Sequence, residues 1–176
     1  MRVAVLLALL PILLTAAAAD AGTQIVRFEE VDGSTVSGTL ERPRRKSPVP
    51  LLLVLRDRPC GAHGRSAPAP RVNAPPGAAR LELAPPQTAR GTPPCGPAAH
   101  QARVLEVVTA VTRLREDAPW WNRRLYLVGA SEGARVAASA AELLPEAGGV
   151  VLIDPPQGAG ASLGAERRAP VLLLQG

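Results

Sequence analysis

The stretch LYLVGASEGARVAASA, residues 125–140, decides how the rest of the chain is read. An apolar run, Leu125–Val128, ends in Gly129-Ala130-Ser131-Glu132-Gly133, and an alanine-rich, helix-favouring run follows without a linker. A strand that turns sharply into a helix lifts the side chain at the turn clear of the sheet. Glycines two residues before and after the serine let the chain bend there without side-chain collision. A serine hydroxyl is a poor nucleophile at neutral pH and needs such placement together with a base. The helix beginning at Glu132 aims its first N–H groups and its positive end at the point where an oxyanion forms in acyl transfer. Ser131 is therefore the candidate nucleophile, and the backbone N–H of Glu132 is one candidate oxyanion donor. The plainer alternative is a helix-start turn in which Ser131 only caps the helix.

Upstream, TQIVRFEEVDGSTVSGTLERP (residues 23–43) reads as two alternating strands around an Asp32-Gly33 turn. Val49–Leu55 is apolar without alternation, the mark of a strand buried on both faces of a parallel sheet. Residues 57–98 are rich in Pro, Gly, Ala and Arg, and only Ala79–Leu83 reads as a short strand. Pro68, Pro70, Pro75 and Pro76 disfavour a covering helix in that loop. Over 98–117, Val104, Val107, Val108, Val111 and Leu114 recur at helical steps, with Arg103, Glu106, Arg113 and Arg115 placed elsewhere. Arg124–Val128 reads as a strand, Glu132–Leu144 as a helix, Gly149–Ile153 as a strand and Pro170–Leu174 as a last strand. This succession predicts an α/β fold: a mostly parallel sheet with flanking helices and an N-terminal antiparallel hairpin.

The first nineteen residues read as a secretory signal peptide: Arg2, an apolar run Val3–Leu14, then small residues, with cleavage after Ala19 or Ala21. The run is too short for a confident membrane span, and no cysteine near the cleavage region supports a lipid anchor. One domain, 23–176, follows, and a secreted or periplasmic location is expected. In such a compartment Cys60 and Cys95 can form one disulfide, worth roughly 4 kcal/mol in the chain-entropy model. The net charge of +5 does not indicate nucleic acid: the arginines are scattered, and aromatic residues for base stacking are 2% of the chain. Arg42-Pro43-Arg44-Arg45-Lys46 is the one basic cluster and reads as a solvated loop. Two distant cysteines and two isolated histidines do not assemble a metal site, and no cofactor is expected. Trp120-Trp121 reads as a packing or anchoring pair.

Three stretches together resemble the α/β-hydrolase superfamily, especially its dienelactone-hydrolase-like and prolyl-oligopeptidase-like branches. DGSTVSGTLERP is similar to the opening hairpin of those families, LYLVGASEGARVAA to their nucleophile elbow, and APVLLLQG to the strand before the catalytic acid loop. The resemblance implies a small-molecule ester-like or peptide substrate. It also implies a second oxyanion N–H from the window Asp57–Gly61, excluding Pro59, with Arg58 the first choice. Cys60 lies in that window, where a bridge to Cys95 would brace the loop.

The family order is Ser, then Asp or Glu, then His. Here His63 and His100 both precede Ser131, and the sequence stops at Gln175-Gly176, where the acid loop is due. His63 reads as a solvated loop residue and His100 as an exposed residue at a helix start. Asp154, closing the strand after the elbow, is a possible acid, although Pro155-Pro156 behind it fits a turn equally well. The expectation is an incomplete α/β-hydrolase fold, cut short at its carboxyl end, whose last strand presents an edge able to pair with another copy. A catalytically silent secreted binding module is the alternative. A dinucleotide-binding fold is a further rival, with Gly129, Ser131 and Ala134 as a distorted glycine fingerprint and Asp154 as the ribose acid. Ser131 then stands where the backbone must approach pyrophosphate, and export argues against a soluble nicotinamide enzyme.

Overall fold

The computed structural model describes residues 22–30, 33–56, 72–84, 96–156 and 170–174. The signal-peptide reading, Asp32, Arg58, Cys60, His63 and Cys95 lie outside the described residues. In chain order the elements are β1 (Thr23–Glu29), β2 (Thr35–Glu41), β3 (Val49–Leu55), β4 (Ala79–Leu83), α1 (Pro97–Asp117), β5 (Trp121–Ala130), α2 (Glu132–Leu143), β6 (Ala147–Ile153) and β7 (Val171–Leu174). The strands form one sheet in the order β1-β2-β4-β3-β5-β6-β7. β1 and β2 are the antiparallel hairpin and β2 joins β4 antiparallel, whereas β4, β3, β5, β6 and β7 run parallel. The fold class read from the sequence is the one observed.

The unbroken apolar run of β3 has its reason in this order. β3 lies between β4 and β5, and Leu51, Leu53, Val54 and Leu55 are all fully buried. The connections from β4 to β5 and from β5 to β6 step the same way across the sheet, so right-handed crossovers put both helices on one face. That face holds the main core: Leu51, Leu53 and Leu55 of β3, Leu81 and Leu83 of β4, and Leu125 and Leu127 of β5, packed with Val107 and Val111 of α1 and Val136 of α2. Each such side chain contributes on the order of 1.5–3 kcal/mol when removed from water. α2 buries Gly133, Ala134, Ala137, Ala138 and Ala140, and these small side chains let its axis sit close to the sheet. The opposite face carries a smaller cluster, Leu52, Val54 and Val128, joined by Val72 and Ala74.

Two expectations for α1 need correction. Arg103 and Glu106, read as lying off the buried face, are 4% and 6% exposed. They pair with each other one turn apart, and Arg103 Nη1 also donates to the Ala84 carbonyl at 3.2 Å. Burial is tolerable because each charge has a partner. His100 is not an exposed helix-start residue either: its ring, 22% exposed, bridges α1 to α2. The tryptophans are anchors, as read. Trp121 is 3% exposed and its Nε1 donates to the Arg124 carbonyl, while Arg42 stacks over the Trp120 ring.

Candidate active site

The strand order reverses direction at β3: the chain moves from β3 to β4 on one side and from β5 to β6 on the other. In open α/β sheets the crevice beyond the carboxyl ends at such a switch point is where ligands bind. Ser131 follows β5 directly and Arg56 follows β3, so the motif serine stands at that crevice.

The turn itself is tight. Ser131 has φ 49° and ψ −119°, a backbone conformation that costs an L-residue about 1–3 kcal/mol. The surrounding structure imposes it. The Ser131 N–H donates to the Ile153 carbonyl of β6 at 3.0 Å, and the Ala134 N–H donates to the Ser131 carbonyl at 3.0 Å. Ser131 occupies the cap position of α2, yet its side chain makes no capping hydrogen bond, so the plainer capping role is not the one adopted. The residue is half-buried, neither sealed in the core nor fully solvated.

Both glycines of the motif are required by close approach. A Cβ on Gly129 would run into the Gly133 carbonyl and lie 2.7 Å from the Ala134 nitrogen. A Cβ on Gly133 would lie 2.8 Å from the Leu55 carbonyl oxygen and 3.4 Å from that of Arg56. Strand β5, the turn and the end of β3 are thus drawn together around Ser131, and only residues without side chains fit between them. Glu132 opens α2, where first-turn N–H groups have no intrahelical acceptor. Asp154 follows β6, the strand beside β5, with φ 43° and its N–H donating to the Leu174 carbonyl at 2.8 Å. The structure therefore gathers Ser131, Glu132 and Asp154 at the carboxyl ends of adjacent strands. Among the described residues no hydrogen bond joins the Ser131 hydroxyl to a histidine.

Two features went unread in the sequence. Arg56, at the end of β3, donates through Nε to Glu82 of β4, which also takes a hydrogen bond from Arg80. Burial raises the Glu82 pKa, but the hydrogen bonds and charges of Arg56 and Arg80 outweigh it and hold the carboxyl below its usual value. Arg80 extends the network to the Val72 carbonyl and to Glu41. Strand spacing alone pairs residues along a strand, so a contact between Arg56 and Glu82 has no local signal. The second is His100, whose Nδ1 lies 3.2 Å from Glu132 Oε1 and whose Nε2 lies 3.1 Å from Ser139 Oγ.

No model of a known protein family matches the chain, and no curated protein does. Solved structures do. The chain is similar to the acylaminoacyl peptidase of Pyrococcus horikoshii at 13% identity and TM-score 0.59, over 88% of this chain and 31% of that one. An esterase of Pyrococcus furiosus aligns at 17% identity and TM-score 0.53, over 77% of this chain and 50% of its own. A prolyl endopeptidase aligns at 22% identity and TM-score 0.51, over 76% and 21%. The chain spans no more than half the length of these three proteins. They share the α/β-hydrolase fold, and the present chain has that fold in part: a seven-stranded, mostly parallel sheet with two helices.

Proposed function

We propose that the chain carries the nucleophile of an exported serine hydrolase acting on an ester-like or acyl bond. In this reading Ser131 attacks the acyl carbon, and the Glu132 N–H stabilises the oxyanion. The Arg58 N–H is the second donor, and Asp154 is a candidate acid. The observation that supports it most is the backbone of Ser131, held in a costly conformation between two glycines that admit no Cβ. Strain of this kind is stored where a side chain must be presented rather than packed. The peptidase and esterase neighbours fit an ester or peptide substrate, and the signal-peptide reading of residues 1–19 supports export. The test is turnover of p-nitrophenyl esters by the full chain, with Ser131→Ala as control. The reading expects turnover above that control, reduced by several orders of magnitude against a complete triad if no base reaches Ser131. Rates identical in the two proteins would reject it.

A silent, ligand-binding module of the same fold is the second reading. What favours it is His100, whose ring nitrogens face Glu132 and Ser139. Calorimetric binding of a product-like carboxylate without turnover would support that reading over hydrolysis.

A further inference from the structure

Beside the strand-to-helix turn, α1 and α2 bring together three side chains to which the hydrolytic reading gives no part. Ser139 Oγ lies 3.1 Å from His100 Nε2, and His100 Nδ1 lies 3.2 Å from Glu132 Oε1. The second carboxylate oxygen is held by Arg135 Nη1 at 3.3 Å. Hydroxyl, imidazole and carboxylate therefore form one continuous chain. A carboxylate only accepts hydrogen bonds, so the nitrogen facing Glu132 must carry the proton. The neutral ring then presents its lone pair at Nε2 to the Ser139 hydroxyl. This is the tautomer a general base needs, and such constellations are recognised by geometry and roles rather than by position in the chain.

Burial suits the same use. The His100 and Glu132 side chains are 22% and 30% exposed, and Ser139 is half-buried. The group is shielded enough to strengthen its hydrogen bonds and open enough for a small reagent. Here both nitrogens are engaged, with an acceptor and a hydroxyl on the sides that activate the hydroxyl.

We propose that Ser139, His100 and Glu132 form a second nucleophilic site, one that takes small activated acyl esters and phosphonyl fluorides. Ser139 Oγ bonds to the acyl carbon while its proton passes to His100 Nε2, and Glu132 stabilises the imidazolium. The bond to the leaving phenolate breaks, and the proton on His100 leaves with it as the phenol. Water then cleaves the acyl–Ser139 ester with His100 as base, which restores the serine and releases the acid. The assignment is independent of the role given to Ser131.

The test uses the full chain and a fluorophosphonate probe, with adducts mapped after trypsin. Cleavage at arginine puts Ser131 in the peptide 125–135 and Ser139 in the peptide 136–167, and fragmentation separates Ser139 from Ser162. Expected is an adduct on Ser139 in both wild type and Ser131→Ala, formed roughly 100-fold more slowly in Ser131→Ala/His100→Gln, where a hydrogen-bonding group remains but the base is gone. Unchanged melting of the His100→Gln protein shows that the loss is chemical. An adduct confined to Ser131 overturns this site and leaves the Ser131 reading standing, whereas an adduct on Ser139 alone does the reverse. Labelling of neither serine, or equal rates with and without His100, overturns the second site.

Discussion

Ser131 holds its backbone at φ 49° and ψ −119°, and two substitutions separate the cost of that conformation from the loss of its hydroxyl. Glycine adopts such angles without a Cβ penalty and alanine does not. Ser131→Gly is therefore expected to be more stable than Ser131→Ala by about 1 kcal/mol in urea unfolding. Equal stabilities would mean that the turn is unstrained. Gly133→Ala tests the neighbouring contact: its Cβ would lie 2.8 Å from a backbone oxygen of β3, which cannot swing aside as a side chain would. A destabilisation of about 2 kcal/mol is expected, with the helix start displaced from Ser131. At this scale the sequence was readable, because glycine, serine and glycine at fixed spacing between a strand and a helix have few other uses. It could not supply the reason for Gly133, which lies in the approach of β3, a strand about 80 residues away in sequence.

At the scale of elements, α1 and the β3–β4 pair are held by charges that the helical and strand periodicities hid. Glu106→Ala leaves the Arg103 guanidinium buried with the Ala84 carbonyl but without a counter-charge, and a loss of about 3 kcal/mol is expected. Replacing both partners, as Arg103→Met with Glu106→Leu, is expected to be close to neutral. Denaturant midpoints for the three variants check this, and a double variant as unstable as the single one would contradict it. Glu82 sets a pH dependence. Its folded pKa lies below the ordinary carboxylate value, so its contribution is present above that value and is lost as pH falls through the folded one. Glu82→Gln should thus lower the melting temperature at pH 7 and flatten its decline below pH 4.5, the carboxyl's ordinary value. An unchanged acid limb would contradict this. Element positions themselves were legible within a few residues, since β3, α1 and α2 have strong apolar patterns. What the pattern misjudged was burial: the i,i+3 spacing of Arg103 and Glu106 allows a pair, but nothing local in the sequence puts that pair inside the core.

For the whole molecule, the parallel sheet followed from the alternation of strands and helices. The interposition of β4 between β2 and β3 did not, because it depends on a connection that reverses across the sheet. That reversal places the ends of β3 and β5 side by side and creates the crevice at Ser131. Among the described residues β7 pairs with β6 alone and exposes Leu172, Leu173 and Leu174 by 54%, 51% and 44%. An apolar edge of this kind pairs with other chains, and a lysine on it discourages pairing. Sedimentation of the full chain is expected to show concentration-dependent self-association that Leu173→Lys reduces. A strictly monomeric wild type would contradict it. Presentation of residue 131 as a nucleophile at the strand-order reversal is checked by the rate at which a fluorophosphonate modifies the peptide 125–135 of the folded chain. An adduct on Ser131 is expected to form in the native protein and not in urea. An adduct that forms no faster in the native chain than in the unfolded one would contradict it.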